Sequence, residues 1–173
     1  MATQAELNWQ LAVLPGAVAA WKACAAALPA GSLKLDPLTH AVIAVCEATA
    51  ETGWGQHEPP GSLNVLGIKH MKGDGWTGKV VGADGTEQNP NGSWTGKQPD
   101  MWRVYPTYEA CFADQCRILQ EPRYRVAMAS VTAEGYIQAE CETWSTSQAK
   151  GTVVTGIFVG HGGTLLAAAK QIP

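Results

Sequence analysis

Apolar residues near the N-terminus recur every three or four positions, as they do on the buried face of an amphipathic helix. These residues are Leu7, Leu11, Leu14, Val18 and Trp21. The pattern predicts helix over residues 4–27. Pro15 lies inside this stretch and lacks a backbone donor, so we expect two short helices rather than one.

Capping residues mark the starts of three further helices. Ser, Thr and Asp side chains accept hydrogen bonds from the free N–H groups of a first helical turn, and proline suits the first helical position. The predicted caps are Asp36 for Pro37 to Glu51, Thr107 for Tyr108 to Leu119, and Thr132 for Ala133 to Trp144. A last helix, Thr164 to Gln171, is expected after the glycine pair at 162–163.

The segment 53–101 has a different character. It is rich in Gly, Pro and Asn, and its only strand-like pieces are Val65 to Lys69 and Lys79 to Val81. We therefore predict an α+β, mainly α fold of two lobes, in which residues 53–101 form a small loop and hairpin lobe. The whole chain, 1–173, is expected to be one domain with a cleft between the lobes.

Composition narrows the function classes. The 173 residues are 46% hydrophobic, with a formal net charge of -3, and the twelve Lys and Arg residues are scattered along the chain. This disfavours a nucleic-acid partner, because such proteins gather basic residues on one face. We expect no signal peptide and no bilayer-spanning run, since Lys22, Lys34 and Asp36 interrupt the richest apolar region.

The cysteine and histidine spacings do not indicate a metal site. Cys24, Cys46 and Cys116 lie among aliphatic residues and are expected to be buried thiols, with one disulfide left open. His40 and the remaining histidines lie at unrelated spacings. No Gly-x-Ser-x-Gly elbow is present to supply a nucleophilic serine. We expect neither a metal nor any other cofactor.

Two acids stand at the end of an otherwise apolar helix. Glu47 and Glu51 are four positions apart, so they share a face and repel, and the negative end of the helix dipole disfavours both. A carboxyl group partly desolvated beside Trp54 would hold its proton to higher pH, as a general acid requires. Glu51 is therefore the candidate proton donor, although a helix-end acid can also simply cap the following turn.

The string Ala48-Thr49-Ala50-Glu51-Thr52-Gly53-Trp54-Gly55 resembles the signature of glycoside hydrolase family 73, whose members are bacterial and phage peptidoglycan N-acetylglucosaminidases. Three further blocks resemble family motifs in the same order: Asn64 to Lys69, Trp102 to Asp114, and Pro122-Arg123-Tyr124. The resemblance covers residues 11–144. It implies a lysozyme-like fold in which Glu51 is the catalytic acid.

A second carboxylate is usual in such enzymes. Glu87, after Thr86, resembles the family's second acid and is the candidate base or charge stabiliser. Asp74 and Asp84 in the same segment remain alternatives, as does the N-acetyl group of the substrate.

Aromatic side chains stack on sugar rings, and this chain has seven Trp residues. The predicted substrate contacts are Trp54, Asn64, Trp76, Trp94, Trp102 and Trp144. For Trp54 and Trp102, core packing is as good an interpretation as sugar contact, whereas Trp76 and Trp94 lie in Gly-rich loops that are harder to bury.

The C-terminal part departs from the family pattern. The family's Asp-Pro and following Tyr, which lies near the catalytic acid, are absent after Trp144. This leaves the contacts of residues 145–163 undetermined. For His161 we favour a surface loop over a place in the cleft.

The sequence thus predicts an endo-β-N-acetylglucosaminidase that cuts peptidoglycan glycan strands. A muramidase on the same fold and a non-catalytic cell-wall-binding module are the alternatives. We expect a monomer without a membrane partner. Since we expect no leader, the protein would reach the bacterial cell wall as a phage-released endolysin or by another export route.

Overall fold

Five long helices pack around and beside a small sheet in the computed structural model, which describes residues 3–89 and 91–173. These helices are α1 (Gln4–Ala27), α2 (Pro37–Thr52), α3 (Tyr108–Leu119), α5 (Ala133–Trp144) and α6 (Lys150–Ala169), with a short α4 (Arg125–Met128). Strands β1 (Val80–Gly85) and β2 (Gln98–Arg103) form an antiparallel pair. This confirms the mainly helical α+β class.

Helix α1 is continuous, so the expectation of two short helices was wrong. Pro15 lies within it on the exposed side of the helix. The buried face, which includes Leu14 and Trp21, packs against the rest of the core and holds the helix together across the proline.

Helix α2 runs through the centre of the molecule. Its start is as predicted: the Asp36 carboxylate accepts hydrogen bonds from the backbone N–H groups of Leu38 (3.0 Å) and Thr39 (3.1 Å). Residues 40–49 are buried on every side of the helix. A helix packed on every side is held rigidly, so the position of Glu51 in its last turn is fixed.

Helices α3 and α5 have the predicted bounds and the predicted caps, Thr107 and Thr132. Helix α6 begins at Lys150 instead of Thr164, so the predicted glycine break was wrong. Each glycine in a helix costs about 1 kcal/mol relative to alanine. Packing against α2 and α5, which buries Val154 and Leu165, compensates for that cost.

The hairpin pairs Val80 with Arg103 and Gly85 with Gln98. Residues 65–69 do not form the predicted strand. They make a turn, and only Lys69 pairs with the hairpin, through a bridge to Trp102. The turn is stabilised from inside, because buried Asn64 donates to the carbonyls of Ile68 (2.8 Å) and Arg103 (3.0 Å).

A disulfide joins Cys24 of α1 to Cys116 of α3, with a Cα–Cα distance of 6.5 Å. The interpretation of these two residues as reduced thiols was therefore wrong, whereas Cys46 is a buried free thiol as expected. The two cysteines are 92 positions apart, so sequence spacing alone gave no reason to pair them.

Helices α1 and α6 are each long and apolar enough to cross a bilayer, by length and composition. The expectation that no run approaches that length was wrong, because alanine, valine and leucine keep the mean hydropathy high and each helix contains few charged residues. In the fold, α1 packs on α2 and α3, and α6 packs on α2 and α5. One or two such helices are weak evidence of a membrane span, because a buried core helix and a signal sequence near the N-terminus meet the same criterion.

Candidate active site

The end of α2 is shaped by the residues that follow Glu51. Thr52 donates its hydroxyl to the Ala48 carbonyl (2.7 Å) and accepts the N–H of Gly55 (2.8 Å), which folds the chain back over the helix end. Gly55 has φ of +80°, and a Cβ there would lie 2.0 Å from Nε1 of Trp9. Glycine is therefore required at this position, in the turn that follows Glu51.

Glu51 borders a cavity of about 620 Å³ between the helical part and the hairpin. Residues from both sides line it. The helical side contributes Glu51, Tyr124, Trp144 and Lys150, and the other side contributes Gly67, Lys69, Asp74, Glu87, Trp94 and Trp102. The structure thus brings the two predicted catalytic acids, which are far apart in sequence, to one cavity.

Glu51 forms an ion pair with Lys150, the first residue of α6. The lysine side chain is only 6% exposed, and the Glu51 side chain is 28% exposed. Burial acts to lower the pKa of Lys150, but the negative charges of Glu51, Glu140 and Glu47 outweigh it and raise the pKa above its usual range. Sequence reasoning missed Lys150, because no helix was predicted at this position and its pairing with Glu51, 99 positions away, depends on tertiary packing.

A buried group of polar side chains lies behind Lys150. Glu47 accepts a hydrogen bond from the Gln115 amide, while its other oxygen and both oxygens of Glu140 have no hydrogen-bond donor among the described residues. Burial, together with the charge and the hydrogen-bonding capacity of Glu140, raises the pKa of Glu47 well above its usual range. Glu47 therefore keeps its proton to higher pH than an ordinary carboxyl group.

Glu47, Glu140 and Cys141 are also close enough to hold a metal ion, with ligand atoms within 4.8 Å of one another. The sequence spacings gave no hint of this group, which tertiary packing assembles from α2 and α5. The buried ammonium of Lys150 lies beside the two glutamates and provides the positive charge that a metal ion would otherwise bring.

Glu87 faces the cavity from the other side. It pairs with Lys69, which also binds Asp100 (2.8 Å), and it accepts the hydroxyl of Thr146. Partial burial acts to raise the pKa of Glu87, but the hydrogen bonds from Lys69 and Thr146 and the Lys69 charge lower it below its usual value. Glu87 is therefore ionised near neutral pH.

The alternative acids are placed differently. Asp74 lines the cavity, but it accepts hydrogen bonds from Arg103 (2.8 Å) and from the N–H groups of Met71 (2.8 Å) and Trp76 (2.9 Å). Slight burial opposes these bonds, yet they hold the pKa of Asp74 far below its usual range. Asp84 lies on β1 and does not line the cavity. Glu87 is the better placed candidate.

Three of the predicted aromatic contacts line the cavity: Trp94, Trp102 and Trp144. Trp94 is 58% exposed and is free to meet a ligand. Trp54 and Trp76 do not line it. The Trp54 ring packs on His161, with centroids 5.3 Å apart, and the Trp76 ring packs edge-on against Tyr105 at 5.2 Å.

Asn64 is also away from the cavity, fully buried and engaged with backbone groups of its own turn. Asn64 has a structural role, because it stabilises the turn that places Gly67 next to Glu51. Gly67 has φ of +61°, and a Cβ there would lie 3.4 Å from a Glu51 carboxylate oxygen. A residue with a side chain would be strained at this φ, and its Cβ would contact the candidate acid.

The segment after Trp144 connects the two sides of the cavity. Thr146 bonds Glu87, its Oγ1 also accepts the N–H of Gln88 (3.1 Å), and Gln88 accepts the N–H of Gln148 (2.8 Å). His161 lies in α6 rather than in a surface loop, and its Nδ1 is 2.7 Å from Oε1 of Gln10. The predicted loop was wrong because α6 is longer than expected.

Solved structures with the same fold are peptidoglycan hydrolases. A mutant peptidoglycan hydrolase from Sphingomonas sp. A1 is 26% identical, with a TM-score of 0.71 over 98% of this chain and 99% of that one. The catalytic domain of the autolysin Auto from Listeria monocytogenes is 15% identical, with a TM-score of 0.69 over 97% and 89%. The FlgJ glycoside hydrolase domain from Salmonella typhimurium is 20% identical, with a TM-score of 0.61 over 94% of each chain.

These likenesses define the class, a lysozyme-like fold, and in this chain the fold contains a cavity lined by Glu51 and Glu87. The sequence model of the glucosaminidase family, described as mannosyl-glycoprotein endo-beta-N-acetylglucosaminidase, matches residues 38–153. The chain belongs to this family, which confirms the resemblance to glycoside hydrolase family 73, and it is a glycoside hydrolase. A search of curated protein sequences gives no significant match.

Proposed function

We propose that this protein hydrolyses the glycan strands of peptidoglycan as an endo-β-N-acetylglucosaminidase, with Glu51 as the general acid and Glu87 as the second carboxylate. The observation that carries the proposal is the placement of Glu51 and Glu87 on opposite sides of one cavity. Family membership supports the bond type, and the likeness to the Sphingomonas peptidoglycan hydrolase supports the polymer.

The environments of the two acids suit different roles. Glu51 emerges from a buried helix and is mostly shielded, so a proton placed there is delivered to the leaving oxygen without competition from bulk water. Glu87 is ionised and 42% exposed, which suits a group that assists the attacking water or stabilises positive charge on the sugar. Trp94, Trp102 and Trp144 offer ring faces to the sugars between the acids.

The rival from another class is a binding module that retains the cavity without turnover. The cluster around Glu51 argues against it. A module that only binds sugar has no use for buried Lys150 and Glu47 beside a cavity-facing carboxylate, since buried charges cost free energy unless they are paired. We also propose that the protein acts as a monomer at the bacterial cell wall, without a nucleic-acid or membrane partner.

The bond that is cut can be read from the products. Purified peptidoglycan is digested, reduced with borohydride and analysed by mass spectrometry. We expect fragments that end in reduced N-acetylglucosamine. Fragments that end in reduced N-acetylmuramic acid would make the protein a muramidase on the same fold, and free peptide amines without new reducing ends would overturn the glycosidase proposal.

A further inference from the structure

At the C-terminal end of α2 and the N-terminal end of α6, a charged side chain has the same sign as the helix dipole at that end. Glu51 lies in the last turn of α2, where the helix dipole is negative, and Lys150 is the first residue of α6, where it is positive. Neither position is favourable alone. In the fold the two ends meet, and each side chain provides the counter-charge that the other lacks.

Lys150 is enclosed by groups from three elements. The titratable or charged groups that face it are Glu47 and Glu51 from α2, Glu140 and Cys141 from α5, and Tyr124 from the 3-10 helix Pro122–Tyr124. The Trp144 ring lies 5.8 Å from the ammonium and shields it on the cavity side. An ammonium so deeply buried stays charged only because carboxylates surround it.

Among the carboxyl groups that face Lys150, Glu51 is the one that forms an ion pair with it. Glu47 keeps its proton to higher pH than an ordinary carboxyl group, because it is buried beside Glu140. When Glu51 loses its proton, the new negative charge appears next to the Lys150 ammonium, in the ion pair that the structure contains.

Resting on the proposed role of Glu51 as the acid, we propose that Lys150 is a positioning residue that holds Glu51 toward the cavity and stabilises the carboxylate formed when its proton is donated. In that step the proton passes from Glu51 to the glycosidic oxygen as the bond between the sugar carbon and that oxygen breaks. The electron pair of the broken bond stays on the leaving oxygen. The electron pair of the Glu51 O–H bond stays on the carboxylate, and Lys150 keeps its protons. The oxygen of a water molecule forms the new bond to the sugar carbon, and the proton that this water releases passes to Glu87 or solvent, from which Glu51 is reprotonated.

The test is Lys150→Met, which keeps the length of the side chain and removes the charge, with Lys170→Met at the exposed end of the same helix as the matched control. Rates are measured across pH on a soluble peptidoglycan glycan fragment. We expect kcat to fall about 10- to 100-fold, within the range for loss of electrostatic support in an active site, with KM nearly unchanged.

The pH profile separates positioning from mere structural support. A cation favours the ionised form of a neighbouring carboxyl, so without it Glu51 keeps its proton to higher pH. The alkaline limb of the Lys150→Met profile should therefore move to higher pH, while Lys150→Arg, which keeps the charge, leaves the limb in place. Should removal of one buried charge unfold the protein, Glu140→Gln combined with Lys150→Met removes an opposing carboxylate as well and is expected to show the same shift.

Circular dichroism shows which variants are folded. A folded Lys150→Met or double variant with the wild-type alkaline limb overturns the inference, as does an equal shift in Lys150→Arg. The proposed function is tested separately by Glu51→Gln. If Glu51→Gln is inactive and the limb does not move in Lys150→Met, the role of Lys150 is wrong and the role of Glu51 stands.

Discussion

Each candidate catalytic acid is paired with a lysine, and the two pairs differ in their surroundings. The helical pair, Glu51 with Lys150, has side chains that are 28% and 6% exposed, whereas the hairpin pair, Glu87 with Lys69, has 42% and 25%. The helical pair lies against a buried group of further acids. The hairpin pair lies on loops and beside a two-stranded sheet at the edge of the cavity.

The difference in burial decides what each pair can do. Charges shielded from water interact strongly and are little affected by salt. In the helical pair, Lys150 can therefore affect the ionisation of Glu51. Charges near solvent are weakened by water and ions, so the hairpin pair mainly keeps Glu87 ionised and oriented. The same two residue types thus support an acid on one side of the cavity and a carboxylate on the other.

The largest expected effect is that of Glu51→Gln, which keeps the shape of the side chain and removes the transferable proton. We expect the rate of new reducing ends from purified peptidoglycan to fall by about 100-fold or more. Glu134→Gln, at an exposed position of α5, is the matched control. If Glu51→Gln cleaves at the wild-type rate, Glu51 is not the acid and the proposed difference in role between the two pairs is wrong.

Glu87→Gln should reduce the same rate less, by about tenfold, because water at this more exposed position can partly replace the lost carboxylate. Asp84→Asn, on β1 in the same lobe, is the control and should retain activity. Full activity of Glu87→Gln would transfer the second role to Asp74 or to the N-acetyl group of the substrate.

Lys69→Met should lower the free energy of unfolding by no more than about 1 kcal/mol, as for other partly exposed pairs, and less at high salt. The pKa of Glu87 is lowered in the folded state, so the stabilisation is present above the ordinary carboxyl pKa and is lost as pH falls through the folded-state value. Urea unfolding at two salt concentrations and across acid pH measures both effects, with exposed Lys97→Met as the control. A loss that is independent of salt would show that the hairpin pair is as shielded as the helical pair.

The smallest expected effect is that of EDTA, which should leave activity unchanged. The buried ammonium of Lys150 already provides positive charge beside Glu47 and Glu140. Activity after overnight incubation with EDTA, followed by addition of zinc, is the measurement. Loss of activity that zinc restores would assign a metal to Glu47, Glu140 and Cys141.

Local signals in the sequence were sufficient for much of the helical frame. The caps at Asp36, Thr107 and Thr132 were predicted correctly because a cap depends on residues only two or three positions away. The hydrogen bonds of Thr52 in the turn after Glu51 are equally local. The requirement for glycine at position 55 also has a long-range cause, because Trp9 of α1 lies against it.

The sequence by itself therefore determined the family, the central helix and the candidate acid at the end of that helix. The tertiary structure decided what surrounds this acid. Lys150 is 99 positions from Glu51, and the Cys24–Cys116 disulfide spans 92. Contacts of this length depend on how the helices pack, because burial and charge compensation are properties of the assembled core and leave no periodic or short-range mark on the chain.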